Sequence, residues 1–323
     1  MRIKQKLITF FAACCLSGSF LAAVAQTEMD AIMMPKNNFC GGVTYTNSSW
    51  KNYWEGTFKR ENLNLGTVST NMIAAMGNYG VTDKLNVLFG LPYVQTNASA
   101  GTLKGQKGIQ DFMLSIKYMP IENEIGKGVF SLYTIGSVST PASNYVADFL
   151  PLSIGLHSKT ASFRLLMDYQ VQHIFATVSG AYIARKNINI DRTAYYTTAM
   201  HYTNEVSMPD AVNFNVRLGY RSDRIIAEAF LDNFTTQGGF DIRKNDMPFP
   251  SNKMNATKIG VNAKYSFAKK LSGLSLIAGG NYVVAGRNIG QSSTFDAGVY
   301  YQMDWGKKTK SDKKKKKEKT SKK

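Results

Sequence analysis

The stretch Lys84-Leu85-Asn86-Val87-Leu88-Phe89-Gly90-Leu91-Pro92-Tyr93-Val94-Gln95 places Leu85, Val87, Phe89, Leu91 and Tyr93 on one side of an extended chain. Apolar residues at every second position mark a strand with one apolar face, whereas a helix would repeat them every three to four. The spacing recurs outward from this stretch in blocks of roughly ten residues separated by polar or glycine-rich segments. Phe112, Leu114, Ile116 and Tyr118 alternate with Asp111, Ser115 and Lys117. Val212, Phe214, Val216, Leu218 and Tyr220 alternate with Asn213, Asn215, Arg217, Gly219 and Arg221. Ile259, Val261, Ala263, Tyr265 and Phe267 alternate with Lys258, Asn262 and Lys264, and a last block sets Phe295, Ala297, Val299, Tyr301, Met303 and Trp305 against Asp296, Tyr300, Gln302 and Asp304.

A soluble sandwich alternates too, so the position of the aromatics decides between the classes. Tyr93, Tyr118, Tyr220, Tyr265, Phe267 and Trp305 lie at or near the ends of the apolar faces, where the interfacial girdles of a membrane barrel sit. In lipid only a closed sheet leaves no unpaired backbone edge. The pattern therefore predicts an all-β fold, a transmembrane antiparallel β-barrel of outer-membrane type over residues 39–305.

Loop lengths test this independently, because such barrels have short turns at one end and long loops at the other. Twelve strands are expected near 39–47, 66–78, 84–95, 109–119, 128–139, 151–171, 174–185, 211–221, 225–234, 254–267, 274–286 and 294–305, and the connections then alternate between long and short. The stretch 151–171 is long enough for two strands turning at Lys159-Thr160, but that split would move the long segment 186–210 to the short-turn side.

The 323 residues include 44% apolar and 12% aromatic ones, which excludes collagen-like, wholly disordered and disulfide-stapled chains. The formal charge of +17 suggests a nucleic-acid binder until it is divided along the chain. Residues 306–323 hold eleven Lys against Asp312 and Glu318, a net +9; Arg2, Lys4 and Lys6 give +3, which leaves +5 for residues 26–305. No nucleic-acid partner is expected. The Lys-rich tail 306–323 reads as a disordered, solvated segment, with anionic lipid headgroups or the cell wall as the partners its charge would suit.

At the N-terminus the three basic residues precede an apolar stretch from Leu7 to about Leu21 and the sequence Ala23-Val24-Ala25 before Gln26, the pattern of a cleaved secretory signal over residues 1–25. Cys14 and Cys15 would suit a lipoprotein signal, but Phe11 stands where Leu is usual and the apolar segment before Cys14 is very short. Cleavage leaves Cys40 as the single thiol, so no intrachain disulfide can form. Residues 26–38 precede the first strand as a lead-in or as a plug that enters the lumen; the flexible lead-in is the safer reading.

The run Tyr79-Gly80-Val81-Thr82-Asp83-Lys84-Leu85-Asn86-Val87, with Gly90-Leu91-Pro92-Tyr93, Gly108-Ile109-Gln110-Asp111 and Lys117-Tyr118, resembles the outer-membrane channel family named for the meta-pathway of phenol degradation. That family belongs to the same broad group as the long-chain fatty-acid transporter. The resemblance covers most of residues 66–305, and its motifs mark strand ends and turns. It implies a monomeric barrel in the outer membrane of a Gram-negative cell, passing apolar or aromatic small molecules. The chain departs from the pattern at Gln110, where a Gly is usual, and in the Lys-rich tail, which leaves Trp305 rather than a terminal aromatic to close the last strand. Read without the family, Gly80 and Asp83-Lys84 form a tight turn, and Pro92 interrupts ladder pairing near the outer end of its strand.

Asp111, Lys117, Arg164, Asp168, Arg217, Arg221, Glu228, Asp232, Lys258, Lys264, Asp296 and Asp304 all fall on polar faces and are the candidates for lining the lumen. Their mixed signs fit either a polar constriction that selects solutes or a network of ion pairs that holds the barrel. Arg217, Arg221, Glu228 and Asp232 lie on hairpin partners, where pairing is expected. In the long loops, Tyr195, Tyr196, Phe240 and Phe249 are candidates for an apolar vestibule; self-packing of the loops is the equal alternative. Catalysis has little support: in the only close His/Ser pair, His157 and Ser158 are adjacent and point to opposite faces of a strand, and no cofactor or metal motif is present. The expectation is a channel for passive uptake of small apolar or aromatic molecules across outer-membrane lipid. The competing reading is a non-transport barrel with a structural or surface-adhesion role.

Overall fold

The computed structural model describes residues 27–243 and 246–306, so the signal expected at 1–25 and the Lys-rich run from 307 lie outside the described residues. Twelve antiparallel strands close into a barrel: β1 Asn38–Trp50, β2 Val68–Thr82, β3 Leu85–Ala98, β4 Asp111–Ile125, β5 Gly128–Pro141, β6 Thr160–Val171, β7 Ile174–Arg185, β8 Ala211–Arg221, β9 Ile225–Thr236, β10 Asn255–Ser266, β11 Leu274–Arg287 and β12 Ser293–Asp304. Each strand pairs with its sequence neighbours, and β12 closes on β1 in unbroken register from Asn38↔Asp304 to Ser49↔Ser293. Closure satisfies both edges of the sheet.

Short turns at 83–84, 126–127, 172–173, 222–224 and 267–273 mark one end, and segments 51–67, 99–110, 142–159, 186–210, 237–254 and 288–292 the other. The expected strand 151–171 is a strand only over Thr160–Val171. Leu152, Ser153 and Ile154 are buried in succession, which a two-faced strand does not allow, and Leu152 packs with Leu65 and Val68 beneath the long loops. The ladder between β3 and β4 runs from Leu85 to Gly90 and resumes on Lys107–Ile109 from Tyr93, so it breaks at Leu91-Pro92. Only Asp83-Lys84 forms the tight turn; Gly80 lies within β2 and has a different use, described below.

The outward face carries no ionisable side chain between two rings of exposed aromatics. Tyr118, Tyr169, Tyr220, Tyr265 and Trp305 surround the short-turn end, and Tyr45, Tyr93, Tyr182 and Tyr282 the loop end. Trp305 stacks on Phe39 at 5.0 Å, joining the two ends of the barrel sheet. Tyr182 lies opposite Val212 and Tyr220 opposite Ile174, so eight residues of β8 separate the rings. At about 3.3 Å per residue and a tilt of about 40°, that is roughly 20 Å of height, close to the apolar band of an outer-membrane barrel. Val43, Ile116, Phe163, Leu218, Val261 and Phe295 fill this belt, each about half exposed.

Candidate functional site: the barrel lumen

Inward positions alternate with the belt, and six of the twelve candidate charges lie on β6, β8 and β9. Arg217 on β8 pairs with Glu228 on β9 and donates through Nε to Asn215 at 2.9 Å. Arg221 reaches past β7 to Asp168 on β6 at 3.0 Å, its guanidinium lying over Phe175 at 4.0 Å from the ring centre. Asp168 also accepts the Thr177 hydroxyl. Asp232 makes no ion pair among the described residues; it accepts the side-chain amides of Asn213 at 2.9 Å and Asn215 at 3.1 Å. Arg164 donates to Ser179 and to Asn213, each at 2.9 Å. A buried charge is tolerable only when its remaining hydrogen bonds are met, and here Asn213 and Asn215, alternate residues of one strand, meet them. These amides join Arg164, Asp232 and the Arg217–Glu228 pair in one network. The charges stood out in the sequence; the amides beside them had no separate signal.

The second feature of the lumen is the segment 27–37, which lies against the inner wall. Lys117 on β4 is wholly buried, and its Nζ donates to the carbonyl oxygens of Thr27 (3.1 Å), Asp30 (2.6 Å) and Ile32 (3.0 Å) and to Asp30 Oδ1 (2.9 Å). Tyr133 on β5 donates to the Ala31 carbonyl at 3.0 Å, and Glu28 accepts the hydroxyls of Ser115 and Ser137. The segment leaves the barrel past Gly80: Asn37 N–H donates to the Gly80 carbonyl at 2.7 Å, and a Cβ on Gly80 would lie 2.1 Å from the Pro35 carbonyl oxygen. Lys36 N–H then reaches Asp83 in the adjoining turn at 2.9 Å. Gly80 is the place where one backbone crosses another, which explains a glycine inside a strand.

Opposite the charged wall, β11, β12 and β1 to β3 face inwards with small or apolar residues such as Gly42, Met76, Leu88 and Ile277. A cavity of about 350 Å³ lies between the segment 27–32 and the wall, spanning from these residues to Arg217, Arg221 and Glu228, with Lys264 and Asp296 also on its lining. A second of about 830 Å³ lies on the short-turn side of the segment, bordered by Met119, Glu122, Lys127, Asp168 and Arg221. Ile32 lines both, so the segment divides them. Lys258 is half-buried and forms no ion pair with Asp232, its register partner. Asp111 sits at the loop end of β4, where it accepts the Tyr145 hydroxyl at 2.6 Å, and Asp304 is exposed at the last residue of β12.

The long loops pack on one another. Tyr195 and Phe249 stack at 5.3 Å, and Tyr195 joins a buried cluster with Ala147, Ile188, Ile190, Val206 and Met208. Phe240 packs on Phe249 at 6.2 Å, while Tyr196 stays exposed under the Arg243 guanidinium at 4.8 Å. Asn288 ties three loops together: its amide donates to Asp241 (2.7 Å) and the Lys253 carbonyl (2.6 Å), and its Oδ1 accepts the N–H groups of Gly56 (2.7 Å) and Ile242 (3.1 Å). Arg287 clamps Asp241 from the other side, Nε to Oδ1 at 2.7 Å, and the guanidinium holds the Asp241 carboxyl down at about 2. The Tyr182 hydroxyl and the Arg185 N–H likewise lower the Asp210 carboxyl. His157 meets Tyr145 edge-to-face at 4.8 Å while the Ser158 hydroxyl donates to the Lys186 carbonyl at 2.5 Å, so the two side chains serve separate structural contacts.

In sequence the chain matches no protein-family model and no curated protein. In structure it is similar to the crystal structure of an outer membrane channel from Pseudomonas putida F1, with a TM-score of 0.68 at 15% identity over 87% of this chain and 100% of that one. The NanC porin gives 0.44 at 7% identity over 80% and 100%, and the translocator domain of the autotransporter NalP from Neisseria meningitidis 0.42 at 10% over 84% and 90%. The first likeness shows that the chain has the fold of an outer-membrane barrel.

Proposed function

We propose that this protein is a non-enzymatic outer-membrane channel of the phenol meta-pathway type, which admits small apolar or aromatic molecules by passive diffusion. The observation that carries the reading is the pairing of an uncharged outward belt about one bilayer tall with an interior that holds cavities of about 350 and 830 Å³. The short turns face the periplasm and the long loops the outside. The segment 27–37 acts as a plug: it stands between the two cavities and is held mainly by side chains, Lys117 foremost, rather than by strand pairing. Because neither a nucleotide site nor an energy-coupling sequence supports active transport, the solute gradient drives the flux.

The test is reconstitution in lipid vesicles and planar bilayers. Swelling rates with solutes of one size and graded polarity should rise with apolar character, and discrete conductance steps should accompany insertion. The packed core formed by Tyr195, Val206 and Met208 over the loop end favours the competing reading, a surface barrel that passes nothing. Swelling no faster than that of protein-free vesicles for every solute would establish that reading instead.

A further inference from the structure

Two charges in the 350 Å³ cavity have no ionic partner. Lys264 on β10 is 7% exposed, and its Nζ is buried without any hydrogen-bond partner. Asp296 on β12 lines the same cavity, half-buried, and forms no ion pair among the described residues. The other ionic groups there are engaged: Arg217 with Glu228, Arg221 with Asp168, Asp30 with Lys117, and Glu28 with two serine hydroxyls. A buried ammonium without any acceptor is costly, and in a cavity whose other cations each hold an ionic partner it marks a place where something else completes it.

The register brings the two charges to one patch of wall. Asp296 pairs with Gly279 on β11, Gly279 pairs with Asn262 on β10, and Lys264 is the next inward residue after Asn262. A Cβ on Gly279 would lie 2.3 Å from Asn262 Oδ1 and 2.9 Å from Asp296 Oδ2, so the bare glycine lets the amide and the carboxylate converge in front of β11. Around them the lining is apolar, with Met29, Ile32, Met76, Leu88, Met113 and Ile277. A ligand carrying only a carboxylate would satisfy Lys264 but face Asp296 and Glu28. A ligand carrying only an ammonium would satisfy Asp296 and leave Lys264 bare. One that carries both, with an apolar side group, answers each feature of the cavity.

We propose that this cavity binds a small zwitterion with an apolar or aromatic side group, of the amino-acid type, its carboxylate on Lys264 and its ammonium on Asp296. This narrows the solute class of the channel proposed above, yet binding can be read without transport. The experiment is titration calorimetry on the purified chain in detergent with L-phenylalanine, 3-phenylpropanoate and 2-phenylethylamine. Phenylalanine is expected to bind at least tenfold more tightly than either single-charge analogue, and Lys264→Gln and Asp296→Asn each to weaken it at least tenfold. Phenylpropanoate or phenylethylamine binding within threefold of phenylalanine, or no heat from phenylalanine, would overturn the proposal. Should Lys264→Gln fail to give the folded, heat-shifted band on a gel, the isosteric Asp296→Asn decides alone. Conductance steps without phenylalanine binding would sink the site and spare the channel; binding without conductance or swelling would do the reverse.

Discussion

Lys117 Nζ and the Asp30 carboxylate lie 2.9 Å apart inside the barrel, with the lysine wholly removed from solvent. Removing one partner of a buried pair costs about 3–5 kcal/mol, because the other is left uncompensated. Lys117→Met should therefore free the segment 27–36 while the strands stay paired. The check is mean single-channel conductance, expected to rise severalfold; an unchanged value would mean that the segment does not obstruct the path.

Gly80→Ala should release the same segment without touching a charge, since its Cβ would meet the Pro35 carbonyl oxygen at 2.1 Å. Cys40, buried in a cluster with Met34 and Tyr300, reports on it. In a chain starting at Gln26 it is the sole thiol. Maleimide labelling of Cys40 should accelerate about tenfold or more in Gly80→Ala and in Lys117→Met, as opening costs of a few kcal/mol are removed.

The Asp241 clamp makes the loop end sensitive to acid. A carboxyl held at about 2, below its ordinary value of 3.8, stabilises the folded loops fully above about pH 4 and loses that contribution as pH falls towards 2. At an exposed position it is worth about 1 kcal/mol or less. Trp54, whose backbone N–H donates to the Ile289 carbonyl at 2.9 Å and whose ring lies against Gly286, sits beside the clamp. In a Trp50→Phe, Trp305→Phe background its emission should hold steady from pH 7 to about 4 and shift to the red below; Asp241→Asn should abolish the transition.

Val261 is 61% exposed at the middle of the belt on β10. Val261→Arg should destabilise folding into vesicles by about 2–4 kcal/mol, the cost of an arginine at mid-bilayer depth. Reversible denaturant titration in vesicles measures it, and a change under 0.5 kcal/mol would show that this face does not meet lipid.

Arg217 and Glu228 provide a coupling test. Each single replacement by Leu leaves a buried charge and should lower the temperature of the gel shift more than the double replacement does. Additive effects would mean that water already reaches the pair.

Strand positions and the alternation of long and short connections were readable because lipid and water impose a period of two on every strand alike, as at Leu85 to Tyr93 or Val212 to Tyr220. Leu152 belongs to a loop core, which is apolar like a strand face but has no period. The interior was harder. Arg217 and Glu228 are neighbours across a hairpin, a relation visible in one dimension, whereas Arg221 chooses Asp168 two strands away, which depends on barrel curvature and on the Phe175 ring between them. The grip of Lys117 on Asp30 spans 87 residues, and no local pattern announces it. Asn288 carries three loops through one amide, and an asparagine in a glycine-rich turn resembles any other.

The pairing of Asn38 with Asp304 has a temporal meaning. The seam that shuts the ring joins the strands farthest apart in the sequence, so every contact along it must close the longest loop in the barrel. Residues 27–37 sit just upstream of that seam and end up enclosed by it. If Lys117 holds them before the seam shuts, they need no threading through a finished tube.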